Sequence, residues 1–306
     1  ELAACEDAIR AVEARMHQAE AALSLLRQDS AAADSRLSTL LELKANFEGV
    51  SEGVKSLLAE RELLAGLIGV VADVLEVPPA YLDALEASLG EAASFVLVED
   101  REAIEPSIER LRRPEGGRAT LVDLSALGAR TLPDVPAASG VIGRASDLVR
   151  CDERFRKLAE RLLGSVVVVD SRELAARLAL DSPAGLRFVS IDGEVWERGR
   201  VRAGTARNAG GLLHRETEIR ELTARLAELG LSVEGVQNQR DAESEARSRA
   251  IEQRDHARWL VDETRTALES QVRELAGLER ERTFAENEAA ERVREMDGIA
   301  LEIETL

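Results

Sequence analysis

Apolar residues recur along the first fifty positions in alternating steps of three and four. Leu2, Cys5, Ile9, Val12, Met16, Ala19, Leu23, Leu26, Ser30, Ala33, Leu37, Leu40, Lys44 and Phe47 follow one another without a slip, and twelve of these fourteen are apolar. This spacing predicts a left-handed coiled-coil seam over about six heptads. At about 1.5 Å per residue the helix is roughly 70 Å long, more than a globular domain needs. Gly49 and Gly53 interrupt the register, and a second, less regular helical stretch is expected to run to about Leu64. From Leu212 the same stepping returns through Ile219, Leu222, Leu226, Leu229, Val233 and Val236. The mostly polar stretch 237–256 reads as a break in that seam. It resumes weakly through Ala257, Val261, Leu268, Leu275, Leu278, Ala285, Ala289, Met296, Ile299 and Ile303.

Between these arms the pattern shortens. Short strands are predicted at Leu67 and its neighbours, Phe95–Val98, Ala119–Val122, Val166–Asp170, Arg187–Ile191 and Glu194–Trp196, with Asp192-Gly193 as a hairpin signal. Helices are predicted for Ala80–Leu89 behind Pro78 and Pro79, for Arg101–Arg112, for Asp152–Leu163 and for Glu173–Leu180. Pro133, Pro136 and Gly140 mark a loop between two subdomains. The expected organisation is an N-terminal coiled-coil arm (1–64), a globular region (65–211) and a C-terminal arm (212–306). The fold class is α/β (α+β): two globular subdomains inserted between two long helices that form an antiparallel intrachain coiled coil. A short insertion returns the chain beside its own start at little extra entropic cost of closure. The second arm is expected to run some thirty residues beyond the first, with no obvious partner for the excess. A start at Glu1 inside a running heptad reads as an internal fragment.

Composition supports arms rather than one large globule: charged residues make up 32% and aromatic ones only 3%. The net charge of −18 argues against a chain built as a whole to coat nucleic acid. That charge is uneven. Residues 66–214 hold 23 acidic and 19 basic side chains, a net of −4, so the flanks carry the remaining −14. Cys5 and Cys151 form no Cys-x-x-Cys pair, which excludes a thiolate zinc hook, and no apolar run is long enough for a membrane span. The reading is a cytoplasmic protein with no membrane partner.

Catalytic chemistry is not legible. There is no Gly-x-x-x-x-Gly-Lys-Ser/Thr loop to cradle a triphosphate. His17, His214 and His256 are scattered, no Ser or Cys sits with a plausible His and carboxylate, and no cluster has metal-ligand spacing. The expectation is a non-enzymatic piece with no cofactor and no metal. The one electrostatic anomaly is a window free of acidic residues between Glu197 and Glu216 that holds Arg198, Arg200, Arg202, Arg207 and Arg215. It is a candidate for phosphate-backbone contact with DNA. Arg110, Arg112, Arg113 and Arg118 form a second, weaker patch. Only three lysines are present, so arginine also carries generic surface duty.

Several motifs come in a familiar order: Phe47-Glu-Gly-Val-Ser-Glu-Gly-Val-Lys-Ser-Leu-Leu58, Tyr81-Leu-Asp-Ala-Leu-Glu-Ala-Ser-Leu-Gly90, Gly117-Arg-Ala-Thr120, Gly140-Val-Ile-Gly-Arg-Ala-Ser-Asp-Leu-Val149, Leu162-Leu-Gly-Ser-Val-Val-Val-Val-Asp170 and Ile191-Asp-Gly-Glu-Val195. In this order they resemble the hinge domains of structural maintenance of chromosomes (SMC) proteins, most closely the bacterial homodimeric branch. The resemblance covers about Phe47–Arg215. It implies a homodimerisation hinge at the apex of folded-back arms, with ATP-binding heads beyond both ends. Kleisin-type partners (ScpA/ScpB) are expected only at those heads. Bacterial members typically carry two Gly-Gly pairs after the Asp-Gly turn. The matching positions here read Gly199-Arg200 and Gly204-Thr205, so one glycine of each pair survives. The resemblance places the dimer contact at Gly199, Arg200, Val201, Gly204 and Thr205. The alternative reading is a DNA-binding module that uses segment 198–215, with dimerisation secondary.

Overall fold

The computed structural model describes residues 2–182, 185–204 and 211–304. These fall into two compact units, one spanning Asp29–Gly230 and the other made of the residues on either side of it. Helix α1 (Leu2–Ala45) ends in a Schellman motif: Phe47 N–H donates to Lys44 O and Glu48 N–H to Leu43 O, each at 3.0 Å. Phe47 takes the left-handed position (φ 52°) where glycine is usual. Helix α2 (Glu52–Ala59) stops short of the expected Leu64. The chain turns there instead, with Leu63 and Leu64 N–H both donating to Glu60 O and Leu63 left 81% exposed.

The globular part then runs β1 (Leu67–Val70), α3 (Val71–Val74), α4 (Leu82–Leu89), β2 (Val96–Val98), α5 (Ile104–Leu111) and β3 (Leu121–Asp123). After the proline loop come β4 (Val141–Arg144), α6 (Ala145–Leu148), α7 (Arg156–Leu163), β5 (Val166–Val169), α8 (Arg172–Asp181), β6 (Arg187–Ser190), β7 (Val195–Glu197) and β8 (Arg200–Arg202). Helix α9 occupies Leu212–Glu304. One sheet has the order β1-β2-β3 and the other β4-β5-β6-β7-β8. Strand β4 and helix α6 were not expected from the sequence.

The two halves repeat one another. In each, an antiparallel pair (β1 with β2, β4 with β5) shifts register at an equivalent glycine, Gly69 or Gly143, with φ of 150° and 157°. In each the second strand pairs parallel with a third, β3 or β6. The connecting bonds match as well. Glu99 N–H donates to Gly66 O as Asp170 N–H does to Gly140 O, and Leu124 N–H to Val98 O as Ile191 N–H does to Val169 O. Glu76 and Arg150 stand at equivalent places and bond to each other in both directions at 2.8 Å, which places a pseudo-two-fold axis between the halves. Arg187 sits at that junction. Its guanidinium donates to Ser88 O at the end of α4 and to Leu162 O at the end of α7, also equivalent positions. Burial lowers its pKa from the ordinary arginine value.

The repeats break symmetry at one edge. Strand β6 carries β7 on its outer side, antiparallel, and β7 in turn carries β8. The equivalent outer edge of β3 has no strand on it among the described residues. The core explains the unbroken run of valines: Val166–Val169 lies in the interior of its sheet and is fully buried on both faces. A continuous cluster including Leu57, Leu85, Leu97, Leu158 and Leu163 joins the halves. Each such side chain contributes about 1.5–3 kcal/mol by leaving water.

All fourteen seam positions from Leu2 to Phe47 are buried or half-buried. Within Asp29–Gly230, α1 and α9 pair antiparallel, Arg36 bonding Glu218 at 2.7 Å and Lys44 reaching Glu216 at 2.7 Å. Within the other unit Arg15 bonds Glu243 and Arg247 bonds Glu13, again antiparallel. This corrects the expected seam break at 237–256. The helix continues, and Gln237, Arg240, Glu243, Ala250 and Arg254 keep half-buried or buried seam positions. Long polar side chains there cover the seam with their stems and pair at their tips. Between Arg258 and Ala300 almost every residue of α9 is exposed, a longer run than the thirty residues expected.

Candidate dimer interface

The hairpin β7–β8 turns at Arg198-Gly199, and Gly199 supplies the positive φ of 78° that such a tight turn requires. Register pairs Glu197 with Arg200, Trp196 with Val201 and Val195 with Arg202. Alternation then puts Val201 beside Trp196 on one face and Arg200 with Arg202 on the other. All three β8 residues are exposed, Val201 at 48%. Because β8 is the last strand of its sheet, its outer N–H and C=O groups are unpaired among the described residues. An edge of this kind is a template for adding a further strand. Gly204 takes φ 149°, and a side chain at either Gly199 or Gly204 would meet nothing within 4 Å. Four of the five expected interface positions are therefore exposed and close together. The fifth, Thr205, lies outside the described residues, as does Arg207.

The basic window is not a row of free cations. Arg198 donates to Leu180 O at the end of α8, Arg200 pairs with Glu197 at 2.6 Å, and Arg202 donates to Ala87 O in α4 at 3.3 Å. Arg215 corrects the expectation outright. It is 8% exposed, and its guanidinium donates to Leu43 O and Glu48 O, holding the end of α1. A buried arginine committed to two backbone carbonyls is not placed to meet a phosphate. In the second patch Arg110 and Arg113 share Glu60. Arg112 and Arg118 line an open cavity of about 940 Å³ together with the carboxylates of Glu86 and Glu91.

The arm root was not legible from spacing. Glu86 on α4 accepts from Leu213 and His214 N–H at 2.9 and 3.3 Å, capping α9 from another helix, and His214 Nε2 lies 3.0 Å from Asp83. Lys44 sits between Asp73 and Glu216 at 3.1 and 2.7 Å. Burial works against its charge, but the bond to Glu216 and the two carboxylates outweigh it, and its pKa is raised. Arg220 donates to Asp73 O and Leu75 O at the end of α3. Among the described residues no group of three His, Cys, Asp or Glu side chains could hold a metal. Burial pushes the Cys151 thiol up, away from reactive thiolate. No helix among the described residues is long and apolar enough to cross a membrane.

A duplicated α/β module that turns an antiparallel coiled coil back on itself and ends in an open strand edge belongs to the class of coiled-coil hinges. The family model described as the SMC proteins flexible hinge domain matches residues 64–179. The chain belongs to the structural maintenance of chromosomes family and carries its hinge domain. It is similar to the chromosome partition protein Smc of Myxococcus xanthus, 32% identical over 229 residues, or 72% of this chain and 19% of that protein. The Smc of Bacillus subtilis is 31% identical over 217 residues, 69% of this chain and 18% of that protein. The chain thus spans about a fifth of the length of these relatives. Among solved structures, an asymmetric dimer of the Geobacillus stearothermophilus SMC hinge domain is 30% identical with a TM-score of 0.69. That match covers 76% of this chain and 97% of that one.

Proposed function

We propose that this chain is the homodimerisation hinge of an SMC chromosome-organising ATPase, a non-enzymatic module that joins two coiled-coil arms at the apex of a ring. The observation that carries the reading is the exposed strand β8, whose outer edge is unpaired among the described residues. The internal repeat supplies its acceptor. Among the described residues no strand lies on the outer edge of β3, where the equivalent β6 holds an antiparallel strand. A second copy that adds its β8 to this edge makes each protomer both donor and acceptor, an isologous contact about a two-fold axis. The relative from Geobacillus stearothermophilus is described as an asymmetric dimer, which supports the pairing of two copies and not its two-fold symmetry. Heads, kleisin partners and ring closure follow from the family and belong to the whole protein.

Cysteines at Val122 and Val201, in a chain with Cys5 and Cys151 changed to serine, test the pairing. The expected product of mild oxidation is a covalent dimer formed only by the double variant or by mixing the two single variants. Equal cross-linking of each single variant with itself contradicts the β3–β8 pairing.

The second reading, contact with DNA phosphates through Arg198, Arg200, Arg202 and Arg207, rests on the exposure of β8 and its hairpin. Three of these four already hold partners within the chain. Few phosphates are then neutralised, so any binding is weak and falls steeply with salt.

A further inference from the structure

Helix α4 touches both the candidate dimer strand and the root of an arm. On one side it faces the second sheet. Ala87 O accepts from Arg202 of β8, and Ser88 O from Arg187 of β6. The β6–β7 turn lies so close that a side chain on Gly193 would stand 3.0 Å from Asp83 O. Gly90, just after α4, has φ 51°, and a side chain there would come within 2.8 Å of the Arg202 guanidinium. From the same stretch of helix Glu86 takes the first N–H groups of α9 and Asp83 meets His214. Gly211 is fitted to that carboxylate, since a Cβ there would lie 2.2 Å from the Glu86 Cδ. The exposed strand β8 and the start of the 93-residue arm helix therefore meet on one eight-residue helix, at the successive residues Ala87 and Glu86.

From these contacts we infer that α4 is a strut coupling occupancy of the β8 edge by a second copy of this chain to the N-terminus of α9. Glu86 is the positioning residue that fixes where the arm begins. The inference rests on the dimer reading. A strand added to β8 immobilises Arg202, Arg202 holds the C-terminal end of α4, and α4 presents the Glu86 carboxylate to Leu213 and His214. Coupling of this kind is reciprocal: an arm root that binds the strut more firmly favours the dimer by the same factor.

Amide hydrogen exchange at Leu213 and His214 reads the coupling, with exchange at Val166–Val169 as the control for intact folding. Glu86→Gln and Gly211→Ala, acting from opposite sides of one contact, are expected to speed exchange at both amides by about ten-fold while the control strand is unmoved. Concentrating the wild-type chain through its dimerisation range is expected to slow both amides by at least about three-fold, and Arg202→Met to abolish that slowing. Equal exchange in monomer and dimer overturns the strut. If the chain stays monomeric at every concentration the dimer reading fails, and Arg202→Met then decides the strut alone. Faster exchange at Leu213 and His214 in the monomer supports it, and unchanged exchange overturns it.

Discussion

The Arg215 guanidinium holds two backbone carbonyls at the end of α1, Leu43 O and Glu48 O, from a buried position. Arg215→Met takes its donor from Glu48 O and leaves Leu43 O with the Glu48 N–H alone, and a loss of about 1–3 kcal/mol in urea unfolding is expected. A surface phosphate ligand would change stability by no more than about 0.5 kcal/mol. Lys44 adds a pH dependence. Folding raises its pKa from the ordinary 10.5, so its contribution is fully present below that value and drains as the pH rises through the folded one. Its side chain is 42% exposed, so the amount is under about 1 kcal/mol. Melting of Lys44→Met is expected to lack the alkaline part of the wild-type decline above 10.5. None of these roles was legible, because the targets of Arg215, Arg187 and Glu86 are backbone groups of distant segments. Counting charges along the chain gave Arg215 to DNA, whereas folding gives it to a helix end.

At the scale of elements, periodicity did most of the work. The α1 seam is buried or half-buried at every predicted position, and the Asp192-Gly193 signal stands between paired strands β6 and β7. Strand β4 was missed because Val141-Ile-Gly-Arg144 is short, carries a glycine and is only partly buried. Its likeness to Leu67-Ile-Gly-Val70 was in the sequence, and a search for internal repeats would have found both strands together. The polar stretch in α9 was misread because an ion-paired seam lacks apolar periodicity. Gly199→Leu forces a side chain into a left-handed turn at a cost of about 1–2 kcal/mol, borne by the hairpin that presents β8. A dimer at least about ten-fold weaker is expected from sedimentation equilibrium, with the β5 core intact.

For the whole molecule, family and architecture were legible because the hinge motifs are short, ordered and independent, and because two heptad seams flank them. The acceptor edge proposed on β3 was not, since only the folded sheet shows which strand lacks a neighbour among the described residues. The exposed part of α9 keeps apolar residues at heptad spacing, among them Val261, Leu268 and Leu275, so self-association through the arm is the rival source of any dimer. Light scattering over a concentration series separates the two. The account predicts a dimer of twice 33.3 kDa that is lost when Val201 is changed to lysine and kept when residues after Ala257 are removed. A monomer throughout, or a dimer indifferent to Val201→Lys and lost on trimming the arm, contradicts it.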